Sequence, residues 1–119
     1  MRGDEARVVD AFARYLEEQG WVVTPEVAFC DLVATRNGMH LYVEAKGRTA
    51  SPGLDVDTMY GQLLRRMPFD ETAATRFAVV VPDTATNAVM RVQRRVRETL
   101  RIDVYTVSQD GCVDGPLDG

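Results

Sequence analysis

A chain of 119 residues, 45% hydrophobic and 27% charged, is expected to form one domain large enough for a core without disulfide or metal staples. Its net charge of −4 argues against a protein that coats nucleic acid, and its two widely separated cysteines, Cys30 and Cys112, fit neither a disulfide framework nor a zinc ligand set. No apolar run approaches membrane-spanning length and the charged start, residues 1–5, has no signal-peptide pattern, so a cytoplasmic protein is expected.

Residues 4–19 read as an amphipathic helix: Val9, Phe12 and Leu16 make its stripe and Gly20 its stop. Glu5 lies four residues before Val9, so it points inward at the first turn, where a carboxylate also suits the helix dipole. Residues 21–29 are β-rich but interrupted by Pro25, which implies an edge strand or a bulge. Residues 29–47 then read as a hairpin around Asn37-Gly38, the pair that a two-residue type I′ turn prefers. Residues 47–53 are turn-rich and are expected to form a surface loop.

A second helix is expected over residues 55–67, with Val56, Tyr60, Leu63 and Met67 inward, Gln62 and Arg66 together on another face, and Pro68 as its end. Residues 76–81 form a nearly continuous apolar strand of the kind buried on both faces in a parallel pair. A third helix opening at residues 82–84 carries Ala85, Val89, Val92 and Val96 inward, with its arginines mostly on the outer side, by default a solvated face. Residues 102–107 make a last strand. The reading is a domain over residues 1–109 and a flexible acidic tail over 110–119, with Cys30 in the core and Cys112 an exposed tail thiol. The element order α-β-β-β-α-β-α-β implies an α/β fold, a mixed central sheet flanked by helices.

The turn fixes the hairpin register. Pairing Arg36 with Met39 sets Ala34 opposite Leu41, Leu32 opposite Val43 and Cys30 opposite Ala45, an apolar face suited to a core. The other face carries Thr35 opposite His40, Val33 opposite Tyr42 and Asp31 opposite Glu44, with Lys46 two residues further on. Tyr42 and Val33 are expected to pack beneath the first helix. Two carboxylates directly opposed across a pair repel unless something offsets their charge, and a divalent cation does so. Lys46 is also the only lysine among fourteen cationic residues. The plain alternative is that Asp31, Glu44 and Lys46 form the polar outer face of an ordinary hairpin, with Lys46 in a diagonal ion pair.

With Asp31 on one strand and Glu44-Ala45-Lys46 ending the next, inside this element order, the chain resembles the PD-(D/E)XK nuclease superfamily, whose fold is restriction-endonuclease-like. The resemblance covers roughly residues 4–81 and rests on Leu41-Tyr-Val-Glu-Ala-Lys-Gly47 as the motif strand. It implies that Asp31, Glu44 and the Ala45 carbonyl bind Mg²⁺, with Mn²⁺ able to substitute, and that Glu5 adds to the metal shell. It also implies that Lys46 positions the attacking water and stabilises charge on the scissile phosphate, and that Gln62 matches a glutamine some members carry on the following helix. Two departures stand out: Cys30 precedes Asp31 where the motif's name has proline, and Arg66 stands where some relatives have tyrosine four residues after the glutamine.

The implied activity is Mg²⁺-dependent hydrolysis of phosphodiester bonds, most readily in DNA, with Arg48, Arg65 and Arg66 as phosphate contacts. The rival reading is a catalytically inactive module of the same fold that binds nucleic acid or a protein partner, which the acidic net charge favours. A hydrolase for some other substrate is a third reading, since fold does not dictate function. A homodimer is the simplest way for so short a chain to address both strands of a duplex.

Overall fold

The computed structural model describes residues 3–25, 31–48, 50–67 and 74–118. Helix α1 (Gly3–Glu18) buries Val8, Val9, Ala11, Phe12 and Leu16, the side chains one helix face presents at this spacing. It leads into strand β1 (Val22–Pro25), an edge strand, as Pro25 requires. Strands β2 (Leu32–Arg36) and β3 (Met39–Ala45) form the expected hairpin in the expected register, from Arg36 opposite Met39 to Leu32 opposite Val43. The turn is as anticipated, with Asn37 at φ 51° and Gly38 at φ 79°.

Helix α2 (Pro52–Arg66) starts three residues before the anticipated Asp55, with Pro52 in the first turn, where its missing N–H costs nothing. It ends at Met67 in extended backbone, the conformation a following proline imposes. Strand β4 (Thr75–Pro82) then lies parallel to β3, and β5 (Ile102–Val107) parallel to β4. The sheet order is β1-β2-β3-β4-β5-β6, with β6 (Val113–Asp114) antiparallel to β5. Both crossovers, β3 to β4 and β4 to β5, step the same way across the sheet, and right-handed connections therefore lay their helices on one face. The other face is left for α1.

Each face has its own core. Beneath α1 lie Leu32, Ala34, Leu41, Val43, Ala45, Ala78 and Val80; beneath α2 and α3 lie Phe77, Val79, Val81, Ile102 and Val104. This corrects the expectation for Tyr42 and Val33: α1 covers the all-apolar face of the hairpin, whereas Tyr42 packs in the α2 cluster with its ring 5.9 Å from that of Phe77, and Val33 is its cross-strand partner.

Two further expectations change. The third helix is broken into a 3₁₀ turn (Asp83–Ala85), α3 (Thr86–Val89) and α4 (Arg94–Leu100). One of its arginines turns inward: Arg97 is 3% exposed, and its guanidinium donates to the carbonyls of Val92, Leu117 and Asp118 at 2.9–3.0 Å. Those bonds satisfy the carbonyl exposed by the helix break and also hold the C-terminal segment. The segment read as a flexible tail accordingly carries β6, and Leu117 N donates to Val104 O at 2.9 Å. Cys112 is exposed, as expected, while Cys30 and Pro68 lie outside the described residues. Among the described residues no helix is long and apolar enough to cross a membrane.

Candidate active site

The β2–β3 ladder ends at Leu32 and Val43, and the next residue on each strand is an acid. Asp31 continues the contact without a regular pair. Its N–H donates to Val43 O at 3.0 Å, and its Oδ2 accepts from Ala45 N at 2.7 Å, so its carboxylate does for Ala45 what a strand carbonyl would have done. On the other edge of β3, Lys46 N donates to Val80 O at 3.0 Å. The end of β3 is thus bonded on both sides.

Glu44 is not on a solvated outer face. It is 2% exposed beneath α2, and Arg66, the last residue of that helix, brings Nη1 to 2.5 Å from Glu44 Oε1. Burial raises the Glu44 pKa to about 7; the Arg66 hydrogen bond pulls it down, while the charge of Asp31 and a hydrogen bond shared with it push it up. The structure therefore makes Asp31 and Glu44 interacting neighbours, as the register implies.

Lys46 is half-buried, beyond Glu44 on the α2 side. With Gly47, Arg48, Asp55, Val81 and Thr84 it lines a recess of about 20 Å³, room for one water. Gln62 stands one turn before Arg66 on α2, and Arg48 and Arg65 are exposed. Arg66, grouped with them as a phosphate contact, instead has its guanidinium on Glu44.

Glu5 approaches from the α1 side through its backbone. A Cβ placed on Gly47 would lie 2.4 Å from Glu5 N and 2.8 Å from Asp4 C, so the first turn of α1 rests directly on the glycine after Lys46. Asp4 secures the contact by accepting from Arg48 N, a bond that, with Arg7, holds its carboxyl below the usual range. Glu5 as a residue is half-buried, but among the described residues no group of three or more His, Cys, Asp or Glu side chains is gathered to hold a metal ion. Among the described residues Asp31 and Glu44 are a pair, not part of a triad.

Sequence reasoning missed the pairing of Arg66 with Glu44 and the part played by Gly47. Arg66 carried a signal, its helical spacing from Gln62, but its reach to Glu44 depends on how α2 crosses β3. Gly47 carried only its position after the motif strand.

No family model matches the chain, and no curated protein matches it. Among solved structures it is similar to an XisH family protein from Nostoc punctiforme PCC 73102, solved at 1.60 Å, with a TM-score of 0.56 and 16% identity over 92% of this chain and 97% of that one. At that identity the likeness is one of fold, a mixed α/β sheet flanked by helices along nearly the whole of both chains.

Proposed function

We propose that the chain is a small metal-dependent nuclease domain that hydrolyses phosphodiester bonds, with DNA as substrate and Mg²⁺ as cofactor. One observation carries the reading: Asp31 and Glu44 interact at the carboxyl end of β3, with Lys46 next on the same side. A buried carboxylate beside a second one is costly to maintain, and an ordinary structural face has no use for it.

The donors suit a hard divalent cation. They are carboxylate oxygens, with the Ala45 carbonyl adjacent, and hard cations take oxygen ligands and keep several waters. Burial raises the Glu44 carboxyl to about 7 even with Arg66 on it, and a bound cation would offset that cost. Bound there, Mg²⁺ or Mn²⁺ would supply a Lewis acid and lower the pKa of a bound water.

The chain's own residues do the rest. Asp31 and Glu44 hold the cation, Asp31 being fixed through its bond from Ala45 N. Lys46 orients the attacking water and meets the charge that develops on the phosphate. Arg48 and Arg65, both exposed, contact flanking phosphates, and Gln62 supports the α2 side of the site. Glu5 lends negative charge from the first turn of α1.

The second reading, a non-catalytic module binding nucleic acid or a protein, is favoured by Arg66, which occupies a Glu44 oxygen that a metal would need. The test is cleavage of supercoiled plasmid and of labelled single-stranded and branched DNA with Mg²⁺ or Mn²⁺, comparing wild type with Lys46→Ala. Metal-dependent products lost in the variant support the nuclease. No products from wild type on any of these substrates favour the module; affinity that falls steeply with salt then identifies nucleic acid as its partner, and flat dependence a protein.

A further inference from the structure

The Arg66–Glu44 pair is asymmetric. The Glu44 side chain is 3% exposed and set in the sheet; that of Arg66 is 30% exposed and reaches in from the end of α2. Only one of the two can leave without unfolding a strand. Arg66 has a long flexible stem, sits on the last helical residue, and retains a path to water for its guanidinium.

Its position also has a consequence for any cation at the acids. The Nη1–Oε1 distance of 2.5 Å leaves no space for an ion between those atoms, while Mg²⁺ sits about 2.0–2.1 Å from each oxygen it binds. A divalent cation using Glu44 Oε1 would therefore meet a guanidinium already on that oxygen, with like charges a few ångströms apart in a partly desolvated place. Lys46 adds a second positive charge just past the same strand end, so an incoming divalent cation joins two cationic side chains already there. One cation has to give way. Lys46 follows a residue whose backbone is bonded into the sheet, whereas Arg66 ends a helix and is followed by extended chain.

We infer that Arg66 is an exchangeable counter-ion: it neutralises Glu44 in the metal-free protein and yields that oxygen, swinging outward, when a divalent cation binds. The inference rests on the nuclease reading for the existence of the metal site, and adds that metal binding is a competition with a residue of the chain itself. Arg66 is thus a positioning residue. It holds the Glu44 carboxylate in place until the cofactor takes over.

The test is calorimetric titration of the full chain with Mn²⁺ at pH 8.0, for wild type, Arg66→Met, Arg66→Gln and Arg66→Lys, with Asp31→Ala to confirm that the heat comes from this site. Competition predicts that Arg66→Met and Arg66→Gln bind Mn²⁺ about tenfold more tightly than wild type, and that Arg66→Lys, which keeps the charge, stays within about threefold of it. A merely structural Arg66 predicts equal or weaker binding in the uncharged variants, and that result overturns the inference while leaving the metal site intact. If no protein binds Mn²⁺, the nuclease reading fails and the inference falls with it. A measurement on wild type needs no variant to fold: the Arg66 Nε–H resonance shifts on saturation with Mg²⁺ if the guanidinium leaves Glu44. An unmoved resonance in a protein that binds Mg²⁺ refutes the exchange.

Discussion

Toward α1, β3 presents Leu41, Val43 and Ala45, each at most 5% exposed and surrounded by apolar side chains; toward α2 it presents Tyr42 and Glu44, with Lys46 just beyond its end. The first face stabilises the fold by removing carbon from water, and each of its residues improves the packing of the next. The second buries a carboxylate against another carboxylate and needs an arginine from a neighbouring helix to hold it there. Alternate residues of one strand are therefore under opposite demands. The face that costs stability is where chemistry is to be sought.

That contrast is broken most sharply at Lys46. Under the nuclease reading Lys46→Ala lowers Mg²⁺-dependent cleavage by about 10²- to 10⁴-fold, while a half-buried lysine at a strand end changes unfolding free energy by no more than about 0.5 kcal/mol. Plasmid cleavage and urea denaturation on the same preparation check both. On the opposite face Leu41→Ala reverses the outcome: loss of a buried side chain costs about 2–5 kcal/mol, and cleavage per folded molecule is retained. A Leu41 variant that stays folded yet loses activity would mean that the two faces are not separable.

How much of this was legible depended on how local the cause was. The Asn37-Gly38 turn sets φ at two residues and with them every pair up to Leu32 and Val43, so the meeting of Asp31 and Glu44 was readable from the chain. Which helix covers which face was not, because it follows from both crossovers having one hand; Tyr42 lies beneath α2, on the side opposite to the expected one, for that reason. The depth of Glu44 and its bond to Arg66 depend on where α2 lies across β3, a tertiary fact. Arg97 was hidden by its company, since a run of arginines defaults to solvent and only the carbonyls of residues 92, 117 and 118 draw this one inward. Strand β6, two residues long, exists because β5 offers it an edge.

Glu44→Gln tests whether the α2 face costs what its chemistry implies. Burial raises this carboxyl to about 7, so the folded state holds the proton more tightly than the unfolded chain does. Wild-type stability therefore falls as pH rises from about 4.3, the unfolded value, to about 7, and is level above. The isosteric, uncharged glutamine lacks that slope, and across the interval the difference moves in its favour by on the order of 3 kcal/mol. Urea midpoints against pH read it directly. Parallel curves would show that Glu44 is not held above its ordinary range, and a variant more stable than wild type at pH 8 yet inactive would place the cost of the face in its function.

Gly47 is where the two faces meet, and it gives the smallest but most pointed effect. A methyl at this position falls within 2.9 Å of three backbone atoms of Asp4 and Glu5, none of which can rotate away as a side chain can. Gly47→Ala must therefore push the first turn of α1 off the end of β3, straining the Asp4 bond from Arg48 N and shifting Glu5, at a cost of about 1–3 kcal/mol. Asp4→Asn serves as the control, because it weakens that bond without forcing the helix to move. If Glu5 lends its charge to the site, Gly47→Ala lowers cleavage per folded molecule and Asp4→Asn does so less. If both variants lose stability while cleavage per folded molecule is unchanged, α1 braces the strand alone, and the chemistry belongs wholly to the face beneath α2.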